Sequence, residues 1–173
     1  MSKRLLLQPD LVLGGVITDL TPEILQGNQI EGLILDVDET LVPIKGNAVT
    51  PELARWAEDM RQVVSIWLVS NNLSHYRIGN IARSLDLPYF LGARKPSRRK
   101  LLQAAMEMNL PVEKVAMVGD RLFTDVIAGN RLGMFTILVE PMVDPLIAER
   151  EYPIRNFEVW ISEKLGVTLA ANK

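Results

Sequence analysis

Gly32-Leu33-Ile34-Leu35-Asp36-Val37-Asp38-Glu39-Thr40-Leu41 is the stretch on which the reading of this chain turns. The apolar run has the look of a buried strand, and it stops abruptly at two carboxylates separated by one residue. Carboxylates so placed suit phosphoryl transfer better than they suit a core. One can attack phosphorus and hold a metal, while the other handles the proton of the leaving group. Taken alone, the same residues would also make a solvated acidic loop.

Three later segments repeat the form. Ile66-Trp67-Leu68-Val69-Ser70-Asn71-Asn72 is again an apolar run ending in small polar groups, with Ser70 placed to donate to a phosphate oxygen or to cap a helix. In Arg94-Lys95-Pro96 the proline holds Lys95 extended ahead of a helix, where its ammonium can meet an anion or stay in a surface loop. In Val115-Ala116-Met117-Val118-Gly119-Asp120-Arg121-Leu122-Phe123-Thr124-Asp125 a third run stops at Gly-Asp, and a second aspartate follows near a helix start, where it could equally complement the helix dipole. Each segment has an ordinary structural reading; the four in this order do not arise easily by chance.

Together the four segments resemble the motifs of the haloacid dehalogenase (HAD) phosphohydrolase superfamily, over roughly residues 30–140. At closer range the strings Leu35-Asp36-Val37-Asp38-Glu39-Thr40-Leu41-Val42, Val69-Ser70-Asn71-Asn72, Ala93-Arg94-Lys95-Pro96 and Gly119-Asp120-Arg121-Leu122-Phe123-Thr124-Asp125 are similar to the YqeG-type phosphatases. That is a capless branch related to mitochondrial and plastid phosphatidylglycerophosphatases. Glu39 departs from the branch, where Asn is the more usual residue.

The resemblance implies an HAD-like, Rossmannoid three-layer α/β sandwich with a mainly parallel sheet and no cap domain. It implies a Mg²⁺-dependent phosphomonoesterase in which Asp36 is the nucleophile and forms an aspartyl-phosphate. Asp38 would protonate the leaving alkoxide and then activate water. The Mg²⁺ ligands would be the Asp36 carboxylate, the Asp38 backbone carbonyl and Asp120, with Asp125 beside them. Ser70 and Lys95 would stabilise charge on the phosphoryl oxygens, and Thr40 and Asn71 are expected with them as substrate-binding residues. Phosphatidylglycerophosphate is the expected substrate; the alternatives are a soluble phosphorylated metabolite or a silent binding module.

Composition agrees with a single domain over residues 1–173, large enough to bury a substantial core. Hydrophobic residues make up 48% and charged residues 23%, ordinary values for a globular protein. The net charge of −2 gives no positive field to attract nucleic acid. With no cysteine and only His75, thiol catalysis, disulfides and Cys/His metal sites are excluded. Lys3-Arg4-Leu5-Leu6-Leu7 begins like a signal peptide, but Gln8-Pro9-Asp10 interrupts it, and no run approaches the ~20 apolar residues of a membrane span. The expected location is the cytoplasm, with peripheral contact to a membrane surface allowed.

Strand-like runs fall at 32–37, 65–70, 88–91, 115–118 and 134–139, alternating with helical patterns at 52–63 and 97–109. Leu53, Trp56, Ala57, Met60 and Val63 share one helical face, as do Leu101, Leu102, Ala105 and Met108. Pro51 and Pro96 mark helix starts and Gly133 a helix end. Buried strands alternating with helices predict a parallel sheet, with ligands beyond the carboxyl ends of its strands. The Asp36–Ser70 and Ser70–Lys95 intervals are each filled by one helix, so the site is expected to be open. The apolar groups within residues 5–17 are expected to pack on the domain, and a last helix near 156–165 to cover the sheet through Phe157, Trp160 and Ile161. Arg94, Lys95, Arg98, Arg99 and Lys100 form a basic cluster able to attract anionic lipid or phosphate, or equally to serve as a solvated basic face.

Overall fold

A computed structural model of the chain describes residues 5–46, 48–142 and 153–172. Six strands, β1 (Leu11–Val12), β2 (Gly32–Leu35), β3 (Ser65–Val69), β4 (Tyr89–Phe90), β5 (Val115–Gly119) and β6 (Phe135–Leu138), form one sheet in the order β1-β6-β5-β2-β3-β4. Every pairing is parallel. Every residue of β2 and β5 is buried, as strands covered on both faces must be. Leu33 and Leu35 enter one apolar cluster with Trp56 and Ile78, whereas Ile34 enters another with Leu101 and Ala128. That alternation puts helices on both faces of the sheet and makes a three-layer α/β fold.

Register aligns the chemistry. Leu35 pairs with Leu68 on one side and with Val118 on the other. The three central strands therefore end at one level, and Asp36, Ser70 and Asp120 emerge beside one another. From β2 the chain moves to β3 and β4 on one flank, then crosses to β5 and β6 on the other. This reversal at β2 opens a crevice at the strands' carboxyl ends.

The helices follow the sequence patterns with local differences. A short α1 (Pro22–Gly27) precedes β2. Thr50 caps α2 (Pro51–Arg61), accepting from Leu53 N at 3.1 Å, and the helix buries Leu53, Trp56, Ala57 and Met60. It ends before Val63, which is exposed. Ser74 caps α3 (His75–Leu85), where His75 is exposed, as a lone helix-start histidine should be. The helix α4 (Arg99–Glu107) starts three residues after Pro96 and buries Leu101, Ala104 and Ala105, leaving Leu102 exposed. A π-helical turn (Leu122–Val126) leads into α5 (Ile127–Leu132), which Gly133 closes in the left-handed conformation at φ +80°.

The N-terminal segment packs on the sheet more closely than its sequence pattern foretold. Leu11 and Val12 form the edge strand itself, and Leu13 and Ile17 are fully buried, while Leu5 and Leu6 stay exposed. Asn130 Nδ2 holds the approach by donating to Leu6 O at 2.8 Å and to Gln8 O at 2.9 Å. On the outer side of β1 lies segment 168–172. Asn172 N donates to Val12 O at 3.1 Å, Val12 N donates to Asn172 Oδ1 at 2.6 Å, and Gln8 exchanges two bonds with the backbone of Thr168.

The last helix, α6 (Pro153–Lys164), corrects an expectation. Phe157 and Trp160 do not cover the sheet: each is 55% exposed, and their rings meet one another at 6.2 Å. Glu158 and Ser162 face inward instead, beside Val159. The cause is electrostatic. Arg121, one residue past Asp120, donates through Nε to both Glu158 oxygens at 3.1 and 3.0 Å, and through Nη2 as well. A buried carboxylate needs such a partner more than an aromatic ring needs the interior. Among the described residues no helix is long and apolar enough to cross a membrane.

Candidate active site

Asp36, the first residue past β2, is buried, and its backbone N–H still donates to Val118 O at 3.0 Å. Lys95 reaches it from the segment before α4. Lys95 Nζ donates to Asp36 Oδ1 at 2.7 Å and makes an ion pair at 2.7 Å with Asp125 Oδ1, with the lysine side chain only 1% exposed. The lysine backbone is fixed in turn by Asn71: Lys95 N donates to Asn71 Oδ1 at 2.7 Å, and Asn71 Nδ2 donates to Lys95 O at 3.2 Å.

Asp120 and Asp125 come from the end of β5 and the π-helical turn, both buried. Gly119 is required between them. A Cβ there would lie 2.2 Å from Asp125 Oδ2, so only glycine lets that carboxylate fold back toward Asp120. Asp120 Oδ1 accepts from the Thr40 hydroxyl at 3.1 Å, whereas Asp120 Oδ2 is buried without a hydrogen-bond partner. Thr40, expected at the substrate, is fully buried, and its hydroxyl is engaged in holding Asp120.

Asp36, Asp38, Asn71 and Lys95 line a cavity of about 130 Å³, together with Glu39, Ile44, Arg121 and Thr124. Ser70 is buried at the end of β3. Its Oγ accepts from Asn72 N at 3.0 Å, which leaves its O–H to donate. Asp38 is held on both oxygens, by Asn72 Nδ2 at 3.1 Å and by Arg77 Nη1. Glu39 has φ +65°, a left-handed conformation that Asn adopts more cheaply than Glu. Asn72, Arg77 and the Arg121–Glu158 pair escaped the sequence reading. Arg121 was signalled only by adjacency to Asp120; Arg77 carried no signal.

The electrostatics are those of crowded carboxylates. Burial raises the pKa of Asp120 to about 8, helped by Asp125, Asp36 and Glu39. Burial also raises Asp36; Lys95 opposes this and Asp125 reinforces it. For Lys95 burial works against the charge, but Asp125 and Asp36 outweigh it and its pKa is raised. The bond to Glu158 raises Arg121.

Asp36, Asp120 and Asp125 each offer an oxygen, all within 4.8 Å of one another. An all-oxygen donor set with one buried carboxylate oxygen unpartnered fits a hard divalent cation. Three acidic groups closing on one point, with a lysine between two of them, equip the site to bind a metal and a phosphoryl group together.

A parallel α/β sheet with this carboxylate centre at its switch point defines a phosphatase of the HAD type. Residues 92–143 match the HAD-hydrolase-like family model. The probable phosphatase YqeG of Bacillus subtilis (strain 168) is 36% identical over 143 residues, spanning 82% of this chain and 81% of that protein. The chain therefore belongs to the YqeG-type phosphatases of the HAD superfamily. Phosphatidylglycerophosphate phosphatase 1 of Arabidopsis thaliana is 28% identical over 129 residues, which are 69% of this chain and 37% of the plant protein. Among solved structures, a hypothetical protein from Xanthomonas campestris shares the fold with a TM-score of 0.56 at 20% identity, over 79% of this chain and 78% of that one. NagD from E. coli K-12 does so with a TM-score of 0.53 at 16% identity, over 72% and 93%.

Proposed function

We propose that this HAD phosphatase hydrolyses a phosphomonoester through an aspartyl-phosphate on Asp36, with Mg²⁺ as its metal and an anionic phospholipid phosphate, phosphatidylglycerophosphate or a close relative, as its substrate. One observation carries the reaction. Lys95 lies between Asp36 and Asp125 while Asp120 keeps an oxygen unpartnered, so nucleophile, cation and metal oxygens share one point. Asp36 attacks phosphorus, and Asp38, at the cavity wall, gives its proton to the departing alkoxide and later takes one from water. Lys95 and the Ser70 hydroxyl stabilise the phosphoryl oxygens, where electrostatics supplies most of the catalysis. Asp36, Asp120, Asp125 and the Asp38 backbone carbonyl would hold Mg²⁺, which when bound neutralises phosphate charge.

Two features support a lipid substrate. The similarity extends to a plant phosphatase named for phosphatidylglycerophosphate. Single helices also fill the Asp36–Ser70 and Ser70–Lys95 intervals, so no inserted domain closes over the cavity there. The basic cluster contributes less than its sequence implies. Lys95 is buried in the site, Arg98 donates to Arg131 O at 3.2 Å, and Lys100 sits 4.7 Å over the Phe90 ring. Arg94, Arg98 and Arg99 remain exposed for an anionic surface.

Release of phosphate from an aryl phosphate, with chelator and then with Mg²⁺, tests the reaction. Phosphatidylglycerophosphate in mixed micelles against a panel of soluble phosphate esters tests the substrate. Efficient hydrolysis of soluble esters with none of the lipid overturns the lipid assignment and leaves the chemistry standing.

A further inference from the structure

The segment after Ser70 delivers one cationic side chain that the mechanism above does not use. Ser74 fixes the start of α3 by accepting from Arg77 N at 3.2 Å, which sets Arg77 in the first turn of the helix. The guanidinium then spans three acceptors. Nη1 donates to Asp38 Oδ1, and Nη2 donates to Pro43 O at 3.0 Å and to Gly46 O at 2.9 Å. The second Asp38 oxygen accepts from Asn72 Nδ2 at 3.1 Å. Both oxygens of Asp38 are thus held from one short stretch of chain that begins at the end of β3.

The same guanidinium closes the loop that carries Asp38. Leu41 N donates to Val37 O at 2.9 Å and Glu39 N to Val42 O at 2.8 Å, so the chain turns tightly past Asp38. Arg77 fastens the far side of that turn through Pro43 and Gly46. A planar fork of donors can serve a carboxylate and two carbonyls at once, which a lysine ammonium on a flexible stem does poorly. Arg77 does not line the cavity, whereas Asp38 does. Whatever Arg77 does for the reaction, it does through Asp38 and its loop.

We propose that Arg77 is a positioning residue of this phosphatase: it fixes the Asp38 carboxylate and the 39–46 loop in the geometry that proton transfer to the leaving group requires. The proposal rests on the reading of Asp38 as general acid and base. Its mark is selectivity between substrates. An activated aryl phosphate leaves without much need of a proton, whereas an alkyl phosphate needs one, so misplacing Asp38 must penalise the alkyl ester more.

The test compares Arg77→Ala, Arg77→Lys, Asp38→Asn and the Asp38→Asn/Arg77→Ala pair, using p-nitrophenyl phosphate and an alkyl phosphate, with thermal melts to confirm folding. Arg77→Ala should lower kcat for the alkyl ester about 10-fold more than for the aryl ester, with KM little changed. Arg77→Lys should recover only a small part, and added guanidinium ion should restore some activity to Arg77→Ala alone. In the Asp38→Asn background the Arg77 change should cost under about 2-fold, because its effect passes through the missing carboxylate. Equal losses for both esters, or a full additional loss on top of Asp38→Asn, would show that Arg77 merely supports the fold and would overturn the proposal. If Arg77→Ala does not fold, Arg77→Lys carries the same comparison. An Asp38→Asn enzyme that shows no leaving-group selectivity overturns the general-acid reading, and the Arg77 proposal with it.

Discussion

Lys95 Nζ stands 2.7 Å from Asp36 Oδ1, and both residues are buried. The ion pair is shared with Asp125, so a single ammonium balances two carboxylates while a third, Asp120, stands beside them. Removing it leaves buried negative charges facing one another. Lys95→Met should abolish turnover and, at pH 8, destabilise the metal-free protein by about 3 kcal/mol, the usual loss when one partner of a buried pair is deleted. The destabilisation should shrink at pH 5, where the carboxylates can take up protons. Melts at both pH values check this; an equal loss at both would contradict it.

The raised pKa of Asp120 fixes the sign of a pH effect. Its carboxyl moves from 3.8 to about 8 on folding, so the folded protein holds this proton more tightly than the unfolded chain. The contribution is fully present below pH 3.8 and is lost as pH rises toward about 8. The upward shift of Asp36 acts in the same direction. Chelated protein should therefore melt at falling temperature from pH 5 to pH 8, and Mg²⁺ should stabilise it more at pH 8, where fewer protons must be displaced. A melting temperature that rises over this span without metal would contradict the assignment.

Asp36→Asn should abolish turnover and leave the metal-free fold at least as stable, since the amide keeps the shape and removes a like charge from the centre. Substantial hydrolysis by the folded variant would sink the nucleophile assignment. Asp38→Asn should instead retain measurable turnover of activated aryl phosphates, the difference between a nucleophile and a proton carrier. Phosphate release by the two variants, measured side by side, decides between them.

Gly119→Ala tests the cradle under Asp125. The added methyl would lie 2.2 Å from Asp125 Oδ2, so the carboxylate must move away from Asp36 and Asp120. The expected result is a loss of about 1–3 kcal/mol in stability and a drop of roughly 10-fold or more in apparent Mg²⁺ affinity. A Mg²⁺ titration of activity reads the second effect, and unchanged affinity would show that Asp125 is not needed at the metal.

The strand ends were legible because the sequence states them twice, in apolar runs that must be buried and in polar residues that stop them. Asp36, Ser70 and Asp120 are found at the ends of β2, β3 and β5 for that reason. The stripe of α2 was equally legible, since burial on one face leaves a periodic trace. The two-residue β1 is too short to show a period. The orientation of α6 was not legible either: Phe157 and Trp160 outrank Glu158 in hydrophobicity, and only the position of Arg121 turns the helix. Arg77 lies 39 positions from Asp38, and no spacing rule links a helix's first turn to a carboxylate in an earlier loop.

Segment 168–172 runs along the open side of β1 and takes up backbone groups of Val12 that no strand reaches. Ala171 presses against Gly14 so closely that a Cβ on that glycine would lie 2.7 Å from the alanine methyl. The sheet is thereby denied a free margin on its β1 side, and a bare parallel margin is where a second chain can add itself as one more strand. This strip lies at the β1 edge of the sheet, whereas the carboxylates project from β2 and β5 in its middle. Loosening the strip would bare backbone groups to which another chain could pair, so the residues that cover this margin are separate from those that give the protein its chemistry.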